Sequence, residues 1–515
     1  MTRFFFTIIF IFSALFSFAQ EVVELNLPKS NQVILKFMFR NGSICDPAGK
    51  EGLTTLTART LVESGTQTMT ALQIKDKIYP WAAYYGASVD KEVSIFTFAV
   101  PADFVNDFYP IVAGLMYTPS FAEEDFNRIK SNQQNYVDQV IRSSSDEEYS
   151  KKALEDFLFR GTNYQQMVDG TSSGVKSITV QDVRDYYKKY FALDDLTIGI
   201  AGNYSPEFLA KVKTDAKQFP ATTKVNMGIP GKANKPDGIQ VEIISKENAL
   251  GSAIFTGFPL EVTRRSDEFA ALMVANSWFG EHRKSYSHLY QKIRAQRSMN
   301  YGDYSYIEWY DRGGQNMLPV AGVPRNSNYF SMWFRPVQTA KGLKGQYPEL
   351  SDLKIGHAHF TLRMAIREMD LLLKNGMPKE DFDLTRQFLL SYIKLYAQTP
   401  EKQLGFLMDS RFYGRKDYLK ELDALLSRLT LDDVNKAMRK YWQTQNMFII
   451  IVTDKTEAEE LAKSLRENTP SPMSYSNTLK AGMPKEILAE DDAVASYKLN
   501  IKKVSIVPSA DTFKK

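Results

Sequence analysis

Four histidines and one cysteine are all the imidazole and thiol donors the chain has. Cys45 stands alone, so no intramolecular disulfide and no cysteine-based zinc site can form. It precedes Asp46-Pro47, a turn signal, and reads as a small, semi-buried residue. His282, His288, His357 and His359 all lie in the second half of the 515 residues. His357-Ala358-His359 is the closely spaced pair. On a helix, residues two apart point about 200° from one another and would not chelate. On a strand they would share a face, yet no third ligand stands out. Both read as surface or packing histidines, as do His282 and His288, which flank a basic, aromatic loop. Arg294 and Tyr301, seven residues apart, offer a different chemistry. A guanidinium and a phenol donate hydrogen bonds at neutral pH without losing a proton. A packing reading stands beside it. Lys292, Arg294 and Arg297 sit near a helix end, where cations offset the dipole. Tyr301 opens a strand rich in tyrosine (Tyr304, Tyr306, Tyr310), and strand tyrosines commonly pack.

The elements that must position these residues occur twice. TVQDVRDYYKKYF from Thr179 and TLDDVNKAMRKYW from Thr430 are both capped amphipathic helices, with Thr as N-cap and an acidic residue in the first turn. Each runs into a strand, LTIGIAG from Leu196 and MFIIIVTD from Met447. Upstream, Glu124-Asp125-Phe126 is echoed by Glu380-Asp381-Phe382 at nearly the same offset, about 250 residues. Two homologous α+β halves are therefore expected, residues 21–219 and 239–455. The linker is 220–238, where Pro220 to Pro236 is rich in Pro, Gly and Lys; the extension is 456–515, ending in a strand within KLNIKKVSIVPS. In the first half, QVILKFMFRNGS and EVSIFTFAVP read as strands, and Ala71 to Tyr84 as a helix. KEGLTTLTARTLVESGT reads as the opening buried helix, entered through Gly52 and left through Ser64-Gly65-Thr66.

Composition supports a folded chain with ample core: 43% hydrophobic, 13% aromatic. A net charge of +4 gives no nucleic-acid footprint. Residues 1–20 read as a signal peptide, with Arg3, the run FFFTIIFIFSALF and small residues near Ala19. The apolar run is short for a membrane span, so an exported chain, periplasmic or extracellular, is expected.

The repeated halves, the N-G-S…D-P…K-E-G-L opening and the E-S-G-T helix end resemble the M16 peptidases, the pitrilysin or insulinase family, most closely those of the mitochondrial-processing-peptidase type. The resemblance implies two facing halves forming a half-clamshell. Active members carry H-x-x-E-H on the opening helix, two histidines on one face to hold zinc and a glutamate to act on its water. Aligned from Gly52-Leu53, those positions are Thr55, Ala58 and Arg59; aligned from Gly65-Thr66, they are Leu56, Arg59 and Thr60. Neither register supplies a ligand. The third-ligand region, Phe126 to Ser145, contains no glutamate and only Asp138 as a carboxylate. No zinc is expected in this chain. In the family's heterodimers a second subunit supplies an Arg and a Tyr from L-x-x-x-L-R-E-x-x-G-L-x-Y. Leu289, Ile293, Arg294 and Tyr301 match that pattern, whereas Ala295 and Ser298-Met299 depart from it. The resemblance implies a non-catalytic subunit that binds peptide or unfolded polypeptide. Its Arg294 and Tyr301 would support the zinc site of a partner carrying H-x-x-E-H. A pseudo-enzyme that binds peptide or acts as a scaffold is the alternative.

Overall fold

The computed structural model describes residues 21–220, 228–308 and 321–514. Residues 1–20, where a signal peptide is expected, part of the expected linker and Tyr310 fall outside the described residues. The first sheet contains β1 (Glu21–Asn26), β2 (Gln32–Phe39), β3 (Tyr84–Val89), β4 (Ser94–Pro101) and β5 (Leu196–Gly202). The second contains β6 (Ile239–Lys246), β7 (Ser252–Pro259), β8 (Asp303–Tyr306), β9 (Tyr329–Val337), β10 (Met447–Asp454) and β11 (Ile501–Pro508). Their orders are β1-β5-β2-β4-β3 and β11-β6-β10-β7-β9-β8. With β11 set aside, the two orders are the same. The pairing directions also agree: β1 with β5 and β6 with β10 are parallel, and the remaining pairs among β1–β10 are antiparallel. The chain is an α+β duplication at the level of topology.

The helix expected over Ala71 to Tyr84 is shorter. It covers Ala71–Ile78, and Pro80 lies in a following 3₁₀ turn, since a proline ring cannot continue the α-helical hydrogen bonding. Tyr84 instead starts β3, the edge strand of the first sheet.

Each half lends a helix to the other. β2 is buried along seven of its eight residues because both of its faces are covered. One face packs on the first half's own helices, with Phe37 and Phe39 against Leu56 and Leu61. The other packs on Pro400–Phe412 from the second half, where Leu404 and Met408 meet Ile34, Met38 and Ala201. Reciprocally, Asp146–Leu158 of the first half lays Leu154, Phe157 and Leu158 on Phe255, Phe448 and Ile450. Glycines permit the approach. A Cβ on Gly199 would stand 2.4 Å from Met408 Sδ, and one on Gly257 would stand 3.2 Å from Leu158 Cδ1.

A buried ionic joint fastens this exchange. The Arg325 guanidinium donates twice to Asp90 at 2.7 Å and also to Glu155. Lys91 Nζ lies 3.2 Å from Glu155 and donates to the Tyr164 carbonyl at 2.8 Å. Glu92 accepts from the Asn326 backbone and side chain at 2.6 Å, and from the Tyr164 phenol. Burial by itself would raise the Glu155 carboxyl, but Arg325, Lys91 and Lys152 outweigh it and hold it at about 2.

Arg325→Ala leaves two carboxylates buried with less counter-charge and is expected to destabilise the chain by about 3–5 kcal/mol in denaturant unfolding. Because the folded Glu155 carboxyl is depressed from its ordinary 4.5 to about 2, its contribution is complete above 4.5 and lost as pH falls toward 2. Unfolding measured across that window should show a steeper loss for the native chain than for the variant.

Candidate functional site

The opening helix, Leu53–Glu63, is held at its start by a buried carboxylate from the preceding turn. Asp46 accepts from the Gly52 and Thr54 amides at 2.7 Å and from the Thr54 hydroxyl at 2.6 Å. Burial pushes its pKa up to about 7 despite those donors. Gln133 braces the same end, donating to the Gly52 and Asp169 carbonyls at 3.0 and 2.9 Å. Thr57 and Thr60 return their hydroxyls to carbonyls four residues back, at 2.8 and 2.7 Å. Leu56, Ala58 and Thr60 are fully buried.

That leaves Thr55, Arg59 and Glu63, spaced four apart, facing a cleft of about 1000 Å³. Of the two registers read from the sequence, the first therefore faces open space at Thr55 and Arg59, and the second turns Leu56 and Thr60 inward. Opposite stand Asn132, Asn135 and Tyr136, and one rim is the β3 edge at Ala87–Val89. A metal ion does not fit this donor set. The Thr55 hydroxyl is committed to the Val168 carbonyl at 2.6 Å. Arg59 is itself a cation, engaged by Glu63 at 2.7 and 3.3 Å. Sequence reasoning missed the Asn132, Asn135, Tyr136 wall. Its signal was the three-then-one spacing that puts those residues on one side of the helix Glu123–Asn135 and its π-helical continuation, Tyr136–Val140.

The histidines take part in packing. His357 is the N-cap of the helix Ala358–Asn375, so His357 and His359 diverge, the first to the Ser474 carbonyl at 3.0 Å and the second to the Ser464 hydroxyl at 2.8 Å. Burial lowers them to about 4 and about 3, and they are neutral at physiological pH. His282 contacts the Tyr306 hydroxyl, and burial lowers it to about 3. His288 stacks on Trp278 at 4.6 Å and bonds Glu368 at 2.8 Å. Among the described residues no group of three or more His, Cys, Asp or Glu is placed to hold a metal ion.

Arg294 and Tyr301 are neighbours. Leu289 and Ile293 are fully buried and fix a π-helical turn, Tyr290–Ala295, that carries Arg294 outward. Its guanidinium donates to the Tyr301 carbonyl at 3.0 Å and lies 4.7 Å from the Tyr301 ring centroid and 5.2 Å from that of Tyr290. Tyr301 is 75% exposed. Ser298 takes φ +55°, a left-handed conformation that favours glycine, and its amide donates to the Arg294 carbonyl at 2.7 Å. The three basic residues near this helix end do different things. Arg297 is buried on Glu490 and Asp491 at 2.8 and 2.7 Å, Lys292 pairs with Glu490 at 2.7 Å, and Arg294 faces out.

Two α+β halves of matching topology thus accompany a cleft whose lining, among the described residues, contains no histidine or cysteine. Comparison with known proteins shows what this architecture is similar to. Residues 177–343 match the model of the peptidase M16 inactive domain. A protein of Helicobacter pylori named "Non-peptidase homolog YmxG" is 19% identical over 455 residues, spanning 85% of this chain and 94% of its own length. "Uncharacterized zinc protease YmxG" of Bacillus subtilis is 24% identical over 263 residues; the match covers 50% of this chain and 60% of that protein, so this chain spans less than two thirds of its length. Among solved structures, a peptidase M16 inactive domain from Pseudomonas fluorescens superposes with a TM-score of 0.69 at 18% identity, over 84% of this chain and 95% of the other. A protease from Helicobacter pylori gives 0.67 at 12% identity, over 84% and 96%. The chain is similar to proteins described as inactive M16 homologues and shares their fold.

A metal site built into the cleft would test its geometry. Thr55→His, Arg59→His and Asn135→Glu together are expected to bind stoichiometric zinc by elemental analysis after dialysis, because the histidines share a face and the glutamate stands across from them. Equal zinc in the triple variant and in Thr55→His alone would show that the two helices do not converge.

Proposed function

We propose that the chain is the non-catalytic subunit of an exported M16-type peptidase, binding peptide or unfolded polypeptide beside the zinc site of a partner subunit that carries H-x-x-E-H. The observation that carries this reading is the Arg294–Tyr301 pair. A tyrosine that is 75% exposed contributes little to packing, and the adjacent guanidinium is directed at it rather than at a carboxylate. The phenol and the guanidinium can donate to a peptide carbonyl while keeping their protons. The zinc would belong to the partner, since no histidine or cysteine among the described residues lines the cleft of this chain.

A second reading, a peptide-holding protein without chemistry, is favoured by the cleft itself. Its volume of about 1000 Å³ and the β3 edge at its rim suit an extended strand, whose backbone would pair with the edge.

Reconstitution separates the two. The chain alone is expected to show no proteolysis. Mixed with its zinc-bearing partner, it should restore cleavage, and Tyr301→Phe should lower kcat by about 10²–10³, the range for losing one transition-state donor. Unchanged turnover in both Tyr301→Phe and Arg294→Ala would remove the catalytic-support role. Peptide binding by the isolated chain would then leave the second reading standing.

A further inference from the structure

The segment leading into the Arg294 turn carries a second cation set among aromatic rings. Lys284 Nζ stands 5.0 Å from the Tyr392 ring centroid and 5.7 Å from that of Phe388. Phe388 and Tyr392 stack at 5.0 Å on the helix Lys379–Tyr396, and Tyr286 meets Phe388 edge-on at 5.5 Å. Leu384 and Leu395 extend the same helical face and are 64% and 54% exposed. An apolar strip of this kind on a soluble surface marks a contact site.

Charge says what the strip contacts. Each cation lies near a buried carboxyl with one unpartnered oxygen, Glu281 Oε2 near Lys284 and Asp303 Oδ2 near Arg294. Glu281 is 1% exposed and is faced by Ser277 on its own helix, Lys284 and Tyr286 on the following loop, and Tyr392 on the opposite helix. Burial pushes it up to about 8, against the pull of Ser277 and Lys284. Burial likewise holds Asp303 well above the usual carboxylate range, although Asn300 donates to it at 2.7 Å. Burial thus favours the uncharged form of both carboxyls, which weakens their hold on the cations beside them. Neither Lys284 nor Arg294 forms an ion pair among the described residues. Rings stabilise a cation without neutralising it, so the positive charge remains available to a ligand.

We propose that this face takes an acidic, extended polypeptide segment, its carboxylates on Lys284 and Arg294 and its apolar side chains on Leu384, Phe388 and Tyr392. The proposal rests on the reading that this chain binds polypeptide, and it adds the class of segment bound. It also brings a pH dependence: as pH rises through about 8, Glu281 gains a negative charge beside Lys284 and acidic segments bind less tightly.

The test uses the full chain and three fluorescent peptides of one length and apolar content, carrying several Glu, Gln or Lys. The Glu peptide should bind the native chain at least about tenfold more tightly than the Gln peptide at low salt, and Lys284→Glu should abolish that preference. The preference should shrink between about pH 7 and pH 9 in the native chain and persist in Glu281→Gln. Lys284→Gln, which only removes the charge, guards against a misfolded reversal variant. Equal binding of the Glu and Gln peptides to the native chain would overturn the acidic class while leaving polypeptide binding intact. If no peptide binds, both readings fall.

Discussion

Arg325 is buried where three parts of the chain meet, and the position of each depends on it. It comes from the loop before β9, grips Asp90 in the β3–β4 turn, and reaches Glu155 on the helix that crosses to the second sheet. A guanidinium with 4% exposure is costly to bury unless its donors are satisfied, and here they are met by carboxylates placed in a fork geometry. The joint therefore specifies one relative placement of the halves. It also borders the cleft, since Asp90 and Val323 both line it. The rim strand β3 ends at Val89, immediately before Asp90, so the edge that would pair with an extended ligand is held by the same ion pair.

The tail adds a second fastening on the same wall. β11 extends the second sheet beside β6, and the residues after it turn back to the first half. There Arg142 donates to the Ser509 carbonyl at 3.1 Å and to that of Thr512. The Tyr149 phenol bonds Ser509 and Thr512 at 3.1 and 2.5 Å, and its ring meets Phe513 at 5.8 Å. Arg142 also donates to the Val137 and Asp138 carbonyls, inside the π-helical turn that follows Asn135. Tyr136 and Val140 of that turn line the cleft. Residues more than 350 positions apart thus converge on one helix, whose register sets the polar wall opposite Thr55 and Arg59.

Local signals in the sequence were enough for the duplication and the cap-bounded helices. Thr179 and Thr430 both form capping boxes with the aspartate three residues on, a short-range pattern that survives in a single sequence. The opening helix was legible for the same reason, between Gly52 and Ser64. β3 was not. Tyr84-Tyr85-Gly86-Ala87-Ser88-Val89 is an edge strand that is nowhere fully buried, so its alternation is weak, and the helix before it is ended by Pro80 alone. The exchange of helices between the halves had no sequence signal either. Leu154 and Leu158, or Leu404 and Met408, would serve equally well in a core of their own half, and only the tertiary approach over Gly257 and Gly199 assigns them to the other. The buried state of Glu281 and Asp303 was likewise invisible, because burial is a property of the elements packed around them.

The opening helix and the Arg294 turn show opposite treatments of polar groups, and that contrast is what favours the Arg294 side as the proposed binding face. On the opening helix every hydroxyl from Thr54 to Thr60 has a partner, and Arg59 is matched by Glu63 one turn on. Such a surface has little electrostatic demand left for a ligand. It offers shape and a strand edge. Around Arg294 the balance is reversed: two cations rest on rings, burial raises the pKa of two carboxyls near them, and Ser298 holds a strained left-handed turn. Strain and unmatched charge lower folding stability, so their concentration on one exposed segment points to a ligand that supplies the missing partner groups.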